Sequence, residues 1–493
     1  MTKYQLTIGL EIHAELKTKT KIFCNSANDP DEKRPNVNIC PVCLAHPGTL
    51  PTINQRAVEH VLRVGLAVGG TLTDYTEFDR KNYFYPDIPK GYQISQYQYP
   101  LVTGGAINGV KITRVHLEED TARSIHSERG KDSLIDFNRA GVPLMELVTE
   151  PVITNAKQAG DFARELQLLL RYLDVSEANM EKGEMRVEAN ISVSRFDLDN
   201  VVPRPDLDNL KRSSLNTLGT KVEVKNLNSF KSVEQAVEFE FKRQSELLES
   251  GQAVVQETRG WDEVKGITFP QRLKESSHDY RYFPDPDLPK LRISEIPEFQ
   301  NLKSTIPELP WQKRARYEKD CGIKQEDAEM FLNTPALARF FEAVTKDLRE
   351  DKKLVQLASN YITNDLVKLI GSGSRTSNLE VRLPSAGNFA ELIKMAGSGE
   401  VSSRGAKDIL AEMITTGEDP KVIAEAKSLF QKSDAGELQV IIDRIVINNP
   451  KVVADYRAGK ESSLKFLIGQ GMRESKGSAN PSVLETLFKQ SLG

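Results

Sequence analysis

At 493 residues the chain is too long for one core, and a prior of roughly 150 residues per domain suggests about three. Hydrophobic residues at 39% and charged residues at 28% describe a globular chain with ample apolar matter, and no window approaches the ~18 apolar residues of a membrane span. A net charge of −4 excludes a uniformly basic nucleic-acid coat, and four cysteines exclude a disulfide scaffold.

The N-terminal stretch MTKYQLTIGLEIHAEL turns charged too soon for a signal-peptide core. Few cysteines and no such core together predict a cytoplasmic protein. In this stretch Leu6, Ile8, Leu10, Ile12 and Ala14 alternate with Thr7, Gly9, Glu11, His13 and Glu15. Period two predicts a strand with two carboxylates and an imidazole side by side on one face. Further on, RVHLEEDTARS carries His116, Glu118, Glu119 and Asp120. A second alternating strand sets Met185, Val187, Ala189, Ile191 and Val193 against Glu184, Arg186, Glu188, Asn190 and Ser192. A third sets Val222 and Val224 against Lys221, Glu223 and Lys225. Residues 1 to about 290 therefore read as α+β with a large, mostly antiparallel sheet.

The two prolines of IPELPWQKRARY (306–317) predict a hinge. Beyond it the chain turns helical. Thr334 and Pro335 form an N-cap and a first-position proline ahead of Leu337, Phe340, Phe341, Val344 and Leu348. GNFAELIKMAGSGE ends a later helix in glycines, and a last helix starts at Asn480-Pro481 and buries Leu484, Leu487 and Phe488.

A single alternating strand usually means a solvated sheet face. Acids and bases recurring on several strands of one region point further. Carboxylates with an occasional imidazole suit a hard divalent cation such as Mg²⁺, and neighbouring Lys and Arg suit phosphate oxygens. Such a face is a platform for metal-assisted phosphoryl transfer, although spacing alone does not separate that from a salt-bridge lattice. Neither Gly-rich phosphate cradle is present, so ATP would be held by side chains and metal ions. There is no GxSxG elbow and no cysteine in a nucleophile context.

Nine strings carry a family signature: IGLEIHAELKTKTKIFC, CPVCLAHPGTLP, FDRKNYFYPDIPKGYQISQYQYPL, RVHLEEDTARS, DFNRAGVPLMELVTEP, MEKGEMRVEANISV, KVEVKNLNSF, QETRGWDE and KESSHDYRYFPDPDLP. In this order they closely resemble the B-subunit (GatB) family of tRNA-dependent aspartyl/glutamyl amidotransferases, and the likeness reaches FLIGQGMRESKGSANP in the tail. The resemblance implies a glutamine synthetase-like cradle over 1–295, a helical domain over 296–411 and a YqeY-like helical tail over 412–493. It implies that ATP and Mg²⁺ serve to phosphorylate the side-chain carboxylate of Glu-tRNA(Gln) or Asp-tRNA(Asn). Ammonia arrives from a glutaminase partner, the amidase or A subunit, while a small C subunit completes a heterotrimer. Glu11, His13, Glu119 and Glu188 match the family's metal positions, although phase alone puts Glu118, not Glu119, with His116, unless a bulge re-aims the strand.

Further candidates follow from single motifs. Lys81, Tyr83 and Lys90, in an aromatic and cationic turn, are expected to contact nucleotide or the tRNA 3′ end, against a packed aromatic turn as the alternative. Arg139 heads a Gly-Pro turn and is expected to contact nucleotide or substrate, with Glu146 beside the metals. Asp279, Arg281 and Tyr282 close the cradle in a proline-rigid turn. Cys40-x-x-Cys43 has zinc-knuckle spacing and Cys24 adds a third thiol. Many relatives carry a fourth cysteine where this chain has Ser26; either His46 completes the set or the zinc site is lost. From Arg444 onward, Arg444, Lys451, Arg457, Lys460, Lys465, Arg473, Lys476 and Lys489 outnumber Asp455, Glu461, Glu474 and Glu485, eight against four. That excess reads as a solvated surface or as contact with a tRNA backbone. Two other function classes stand beside the amidotransferase: a non-catalytic protein that binds misacylated tRNA, and a stand-alone ATP-dependent carboxylate–amine ligase.

Overall fold

A computed structural model describes residues 4–29, 31–126, 132–195, 218–273, 280–371, 383–431, 435–475 and 479–493. They form two compact units, Met1–Pro310 and Trp311–Gly493.

The first unit is organised by strands that follow the alternation of the sequence: β1 (Tyr4–Glu15), β2 (Val110–Glu119), β3 (Pro143–Thr149), β4 (Met185–Arg195) and β5 (Val222–Leu227). They lie side by side in the order β2-β3-β1-β4-β5 at the middle of a ten-stranded sheet. Glu257–Asp262 and Ile267–Leu273 extend it beyond β5, Val102–Thr103 and Thr71–Leu72 beyond β2, and Ala106–Ile107 pairs with the start of β2 as the tenth strand. All pairs are antiparallel except β5 with Glu257–Asp262. On β1 the residues Leu6, Ile8, Leu10, Ile12 and Ala14 are buried, as are Met185, Val187, Ala189, Ile191 and Val193 on β4.

Helices α1 (Gln55–Ala67), α2 (Ala156–Tyr172) and α3 (Phe230–Glu249) pack in this unit, α1 against β2, α3 against β4 and β5, and α2 against α3. Each starts at a side-chain cap: Asn54 accepts from the Arg56 and Ala57 N–H groups, Asn155 from Gln158 and Ser229 from Ser232. A smaller sheet joins Phe283–Pro284, Asp79–Asn82 and Tyr92–Ser95. Arg80 fastens it, its Nε 2.7 Å from Asp285 and its Nη2 2.9 Å from Asp287.

The second unit is helical, so the chain is α+β followed by helices. One core gathers Tyr317, Phe331, Phe341, Ile362, Phe389, Ile409 and Met413, and another gathers Leu438, Ile442, Leu467, Leu484 and Phe488. The helix Ser403–Thr416 runs through residues 411 and 412, with Met413 in the first core. Helix Pro335–Thr345 begins after Thr334, whose side chain makes no capping bond. Helix Ala386–Ser398 ends at Gly399, which takes φ +77° where a side chain would be strained. In helix Pro481–Leu492 the Asn480 side chain caps Ser482 and Val483, burying Leu484 and Phe488 and half-burying Leu487. The proline-bearing stretch at 306–317 is where the two units divide, and it is helical from Pro310 onward. Among the described residues no helix is long and apolar enough to cross a membrane.

Candidate active site

Strand register builds the polar face. Glu11 on β1 lies opposite Glu188 on β4, and His13 lies between Arg186 on β4 and Glu146 on β3. Glu146 in turn faces His116 on β2. Glu118, two residues beyond His116, shares that side of the sheet. The His13 Nε2 atom is 3.2 Å from Glu118 and 3.4 Å from Glu146, and the His116 Nε2 atom is 3.3 Å from Glu146. Three sets hold their ligand atoms within 4.8 Å of one another: Glu11, His13 and Glu146; His116, Glu118 and Glu146; Glu11, Glu188 and Glu223. Of the expected metal positions, Glu11, His13 and Glu188 come together with Glu146. Since the three sets share Glu11 and Glu146, they also bring in His116 and Glu118 from β2 and Glu223 from β5, and five strands contribute to one acidic patch.

Glu119 goes elsewhere. β2 passes through residues 118 and 119 in unbroken register with β3, and the only shift lies at Val148/Thr149. Alternation therefore sends the two carboxylates to opposite sides, and Glu118 joins the patch. The Glu119 carboxylate instead holds the Lys90 ammonium at 2.5 Å and accepts from the Ile94 N–H at 2.8 Å. Lys90 is thus committed to Glu119. The two border a cavity of about 230 Å³ whose wall also includes Cys24, Cys43 and His46.

Packing acids together shifts their proton affinities. Burial, then Glu146 and Glu188, push the Glu11 carboxyl up to about 7. Burial disfavours charge on His13, but its hydrogen bonds to Glu118 and Glu146 outweigh it and raise the imidazole well above its usual range. Burial also opposes charge on Glu118 and Glu146; the His13 bond holds Glu118 down, and His116 and His13 hold Glu146 well below the carboxylate range. The hard oxygen and nitrogen donors suit Mg²⁺, and a divalent cation would relieve the repulsion that lifts Glu11.

Cations stand at the patch edge. Lys81 feels Glu118 most strongly among its neighbours and is raised despite burial. Its ammonium also lies 5.9 Å from the Tyr83 ring centre. Burial raises the Tyr83 phenol, whose oxygen donates to Gln93 at 3.2 Å. Arg114 is 3.5 Å from Glu146, and Lys225 is 2.8 Å from Glu188. Arg139 belongs to a neighbouring network: it pairs with Asp120 and lies 3.3 Å from Glu15, while Arg186 reaches Asp120 at 3.1 Å. Asp279 lies outside the described residues.

Cys24, Cys40 and Cys43 converge with their sulfurs within 4.8 Å, but His46 is exposed and is not in that group. Ser26 Oγ is 3.9 Å from Cys43 Sγ, and the buried Lys21 ammonium is 3.7 Å from it. The Cys24 hydrogen bond, against burial and with Lys21 assisting, pushes Cys43 down to about 4. Three thiols beside a lysine fall short of the four good ligands of a structural zinc site. Purified chain is expected to hold well under one zinc by mass spectrometry, and Ser26→Cys to hold one. Full zinc occupancy in the unaltered chain would overturn this reading. In the tail, Arg444, Lys460 and Lys489 pair with Glu474, Asp455 and Glu485, and Arg457 donates to the Leu492 carbonyl. Lys476 lies outside the described residues.

A family model described as the GatB/GatE catalytic domain matches residues 6–297, which contain the whole acidic patch, and one described as the GatB domain matches 339–492. The chain belongs to the GatB family. Among its curated relatives, proteins from Caldanaerobacter subterraneus and Thermomicrobium roseum are each 42% identical, with 99% of either chain covered. One from Gloeothece citriformis is 40% identical over 100% of this chain and 98% of its own. All three are named as the B subunit of an aspartyl/glutamyl-tRNA(Asn/Gln) amidotransferase. Within this family frame, Glu118 and His116 are the residues that motif matching alone passes over, whereas alternation along β2 points to both.

Proposed function

We propose that this chain is the B subunit of a glutamine-hydrolysing aminoacyl-tRNA amidotransferase, working in the cytoplasm in a heterotrimer with an amidase (the A subunit) and a small C subunit. Its substrate is Glu-tRNA(Gln), Asp-tRNA(Asn) or both. The carrying observation is the convergence of Glu11, His13, Glu118, Glu146 and Glu188 on one face of the sheet. A carboxylate is a poor acyl donor because oxide would have to leave. Its oxygen therefore attacks the terminal phosphorus of ATP, the bond to ADP breaks, and an acyl phosphate forms. Ammonia then attacks the acyl carbon and phosphate leaves with the carboxylate oxygen.

Mg²⁺, held by Glu11, His13, Glu118, Glu146 and Glu188, would supply positive charge at the phosphoryl oxygens. Lys81 and Arg114 add fixed cations that draw two anionic reactants onto an acidic surface. The Asp120–Arg139–Arg186 network braces the loop beside β3. A glutamine synthetase-like cradle followed by a helical domain and a helical tail fits this reading, with the helical parts lying along the tRNA and the tail beginning beyond the helix Ser403–Thr416 rather than at residue 412.

Full chain supplied with Mg²⁺, ATP and Glu-tRNA(Gln) or Asp-tRNA(Asn) is expected to release ADP only when the charged tRNA is present. Release with free glutamate would instead indicate a stand-alone ligase. No release with either charged tRNA would leave a protein that only binds its tRNA.

A further inference from the structure

Beside the acidic patch runs a ladder of tyrosines that the phosphoryl chemistry does not use. Tyr97 and Tyr282 stack face to face, 4.3 Å between centroids and 12° between planes. Tyr280 meets Tyr282 edge-on at 6.2 Å and Tyr83 at 5.9 Å. The Lys81 ammonium lies 5.1 Å from the Tyr280 ring centre. Tyr97 is 53% exposed, so core packing does not account for it.

The ladder is held in place. Asp79 accepts from the Tyr97 and Gln98 N–H groups at 2.8 and 3.2 Å. The Asn82 amide donates to the carbonyls of Tyr280 and Arg281 at 3.3 and 2.9 Å. Arg281 takes φ +42°, a left-handed conformation that a side chain adopts only when its surroundings impose it. The ladder borders the patch: Ser95, two residues before Tyr97, donates its hydroxyl to Glu118 at 3.2 Å, and Tyr282 and Lys81 both feel the charges of Glu118 and Glu146.

We propose that Tyr97 and Tyr282 form a stacking platform for the unpaired 3′-terminal base of the aminoacylated tRNA. The inference rests on the function proposed above and adds where that substrate is gripped. The amino acid is esterified to the ribose of the terminal nucleotide, so only a short arm of single bonds separates its side-chain carboxylate from the base. A carboxylate brought to Glu118, Glu146 and Lys81 carries its base to the ladder. Unpaired bases bind by stacking on tyrosine while cations track the backbone, and Lys81 and the exposed Arg281 supply that charge.

The test compares Tyr97→Ala and Tyr97→Phe in full chain assembled with its partner subunits. Alanine is expected to raise KM for the charged tRNA about tenfold while KM for ATP and kcat hold, and phenylalanine, which keeps the ring, to restore it. A fluorescent adenine analogue at the tRNA terminus should be quenched on binding to unaltered protein and not to Tyr97→Ala. A rise in KM for ATP instead would assign the ladder to the nucleotide cosubstrate and overturn the proposal. Unchanged constants and equal quenching in both proteins would also overturn it. Quenching lost in Tyr97→Ala, in a protein that releases no ADP with any charged tRNA, would sink the function and leave the platform standing.

Discussion

Glu118→Gln is expected to lower ADP release with charged tRNA by about a thousandfold, the size of effect that goes with several kcal/mol of transition-state charge stabilisation. Glu119→Gln should cost only about tenfold and leave the dependence on Mg²⁺ intact. The contrast follows from strand register. Glu118 bonds His13 inside the acidic patch, whereas Glu119 anchors Lys90 and the Ile94 N–H on the other side. Losing Glu118 removes a carboxylate from the ligand set and leaves His13 with Glu146 alone. Losing Glu119 frees Lys90 and loosens the turn that carries it. Steady-state kinetics at saturating tRNA, with Mn²⁺ titration calorimetry on each variant, separates the two. A larger loss of metal binding in Glu119→Gln would mean that the strand is read in the wrong phase.

Glu11→Gln should abolish ADP release and yet make the metal-free protein more stable. Glu11 faces Glu188 directly across two strands, and like charges so placed destabilise a sheet. Its folded-state carboxyl sits at about 7, above the 4.5 of a free side chain. The folded protein therefore keeps this proton where the unfolded one has lost it, so stability falls as pH rises from about 4.5 to about 7 and the cost stays constant above that. At pH 8 the glutamine variant is expected to gain about 1–3 kcal/mol, and near pH 5 the gain should nearly vanish. Urea unfolding in chelator-containing buffer at both values measures this. A variant less stable than its parent at pH 8 would show that Glu11 is well solvated or already neutralised. Stability given up where charges are crowded for chemistry is the usual mark of a functional site.

The face itself is legible in the sequence because β1 and β4 keep strict alternation over ten or so residues, and a one-residue slip would exchange the buried and polar sets. Alternation does not say which strands are neighbours. The meeting of Glu11 with Glu188, and of Glu146 with His116, depends on sheet order, which long-range packing decides. Glu119 shows the cost of letting a motif override phase: two adjacent carboxylates on a strand point opposite ways. The tyrosine ladder is harder still to read, because Tyr97 and Tyr282 come from separate turns with no periodicity linking them. The stretch at 306–317 reads as a hinge from its prolines, yet Pro310 opens a helix, where proline at the first turn is well tolerated.

The most direct measurement follows the oxygen atom. Glu-tRNA(Gln) carrying heavy oxygen in the glutamyl side-chain carboxylate is supplied to the assembled enzyme with Mg²⁺, ATP and glutamine, and the released phosphate is analysed by mass. Activation through an acyl phosphate predicts one heavy oxygen in each phosphate released during amidation. Phosphate free of the label, alongside normal formation of Gln-tRNA(Gln), would contradict the account.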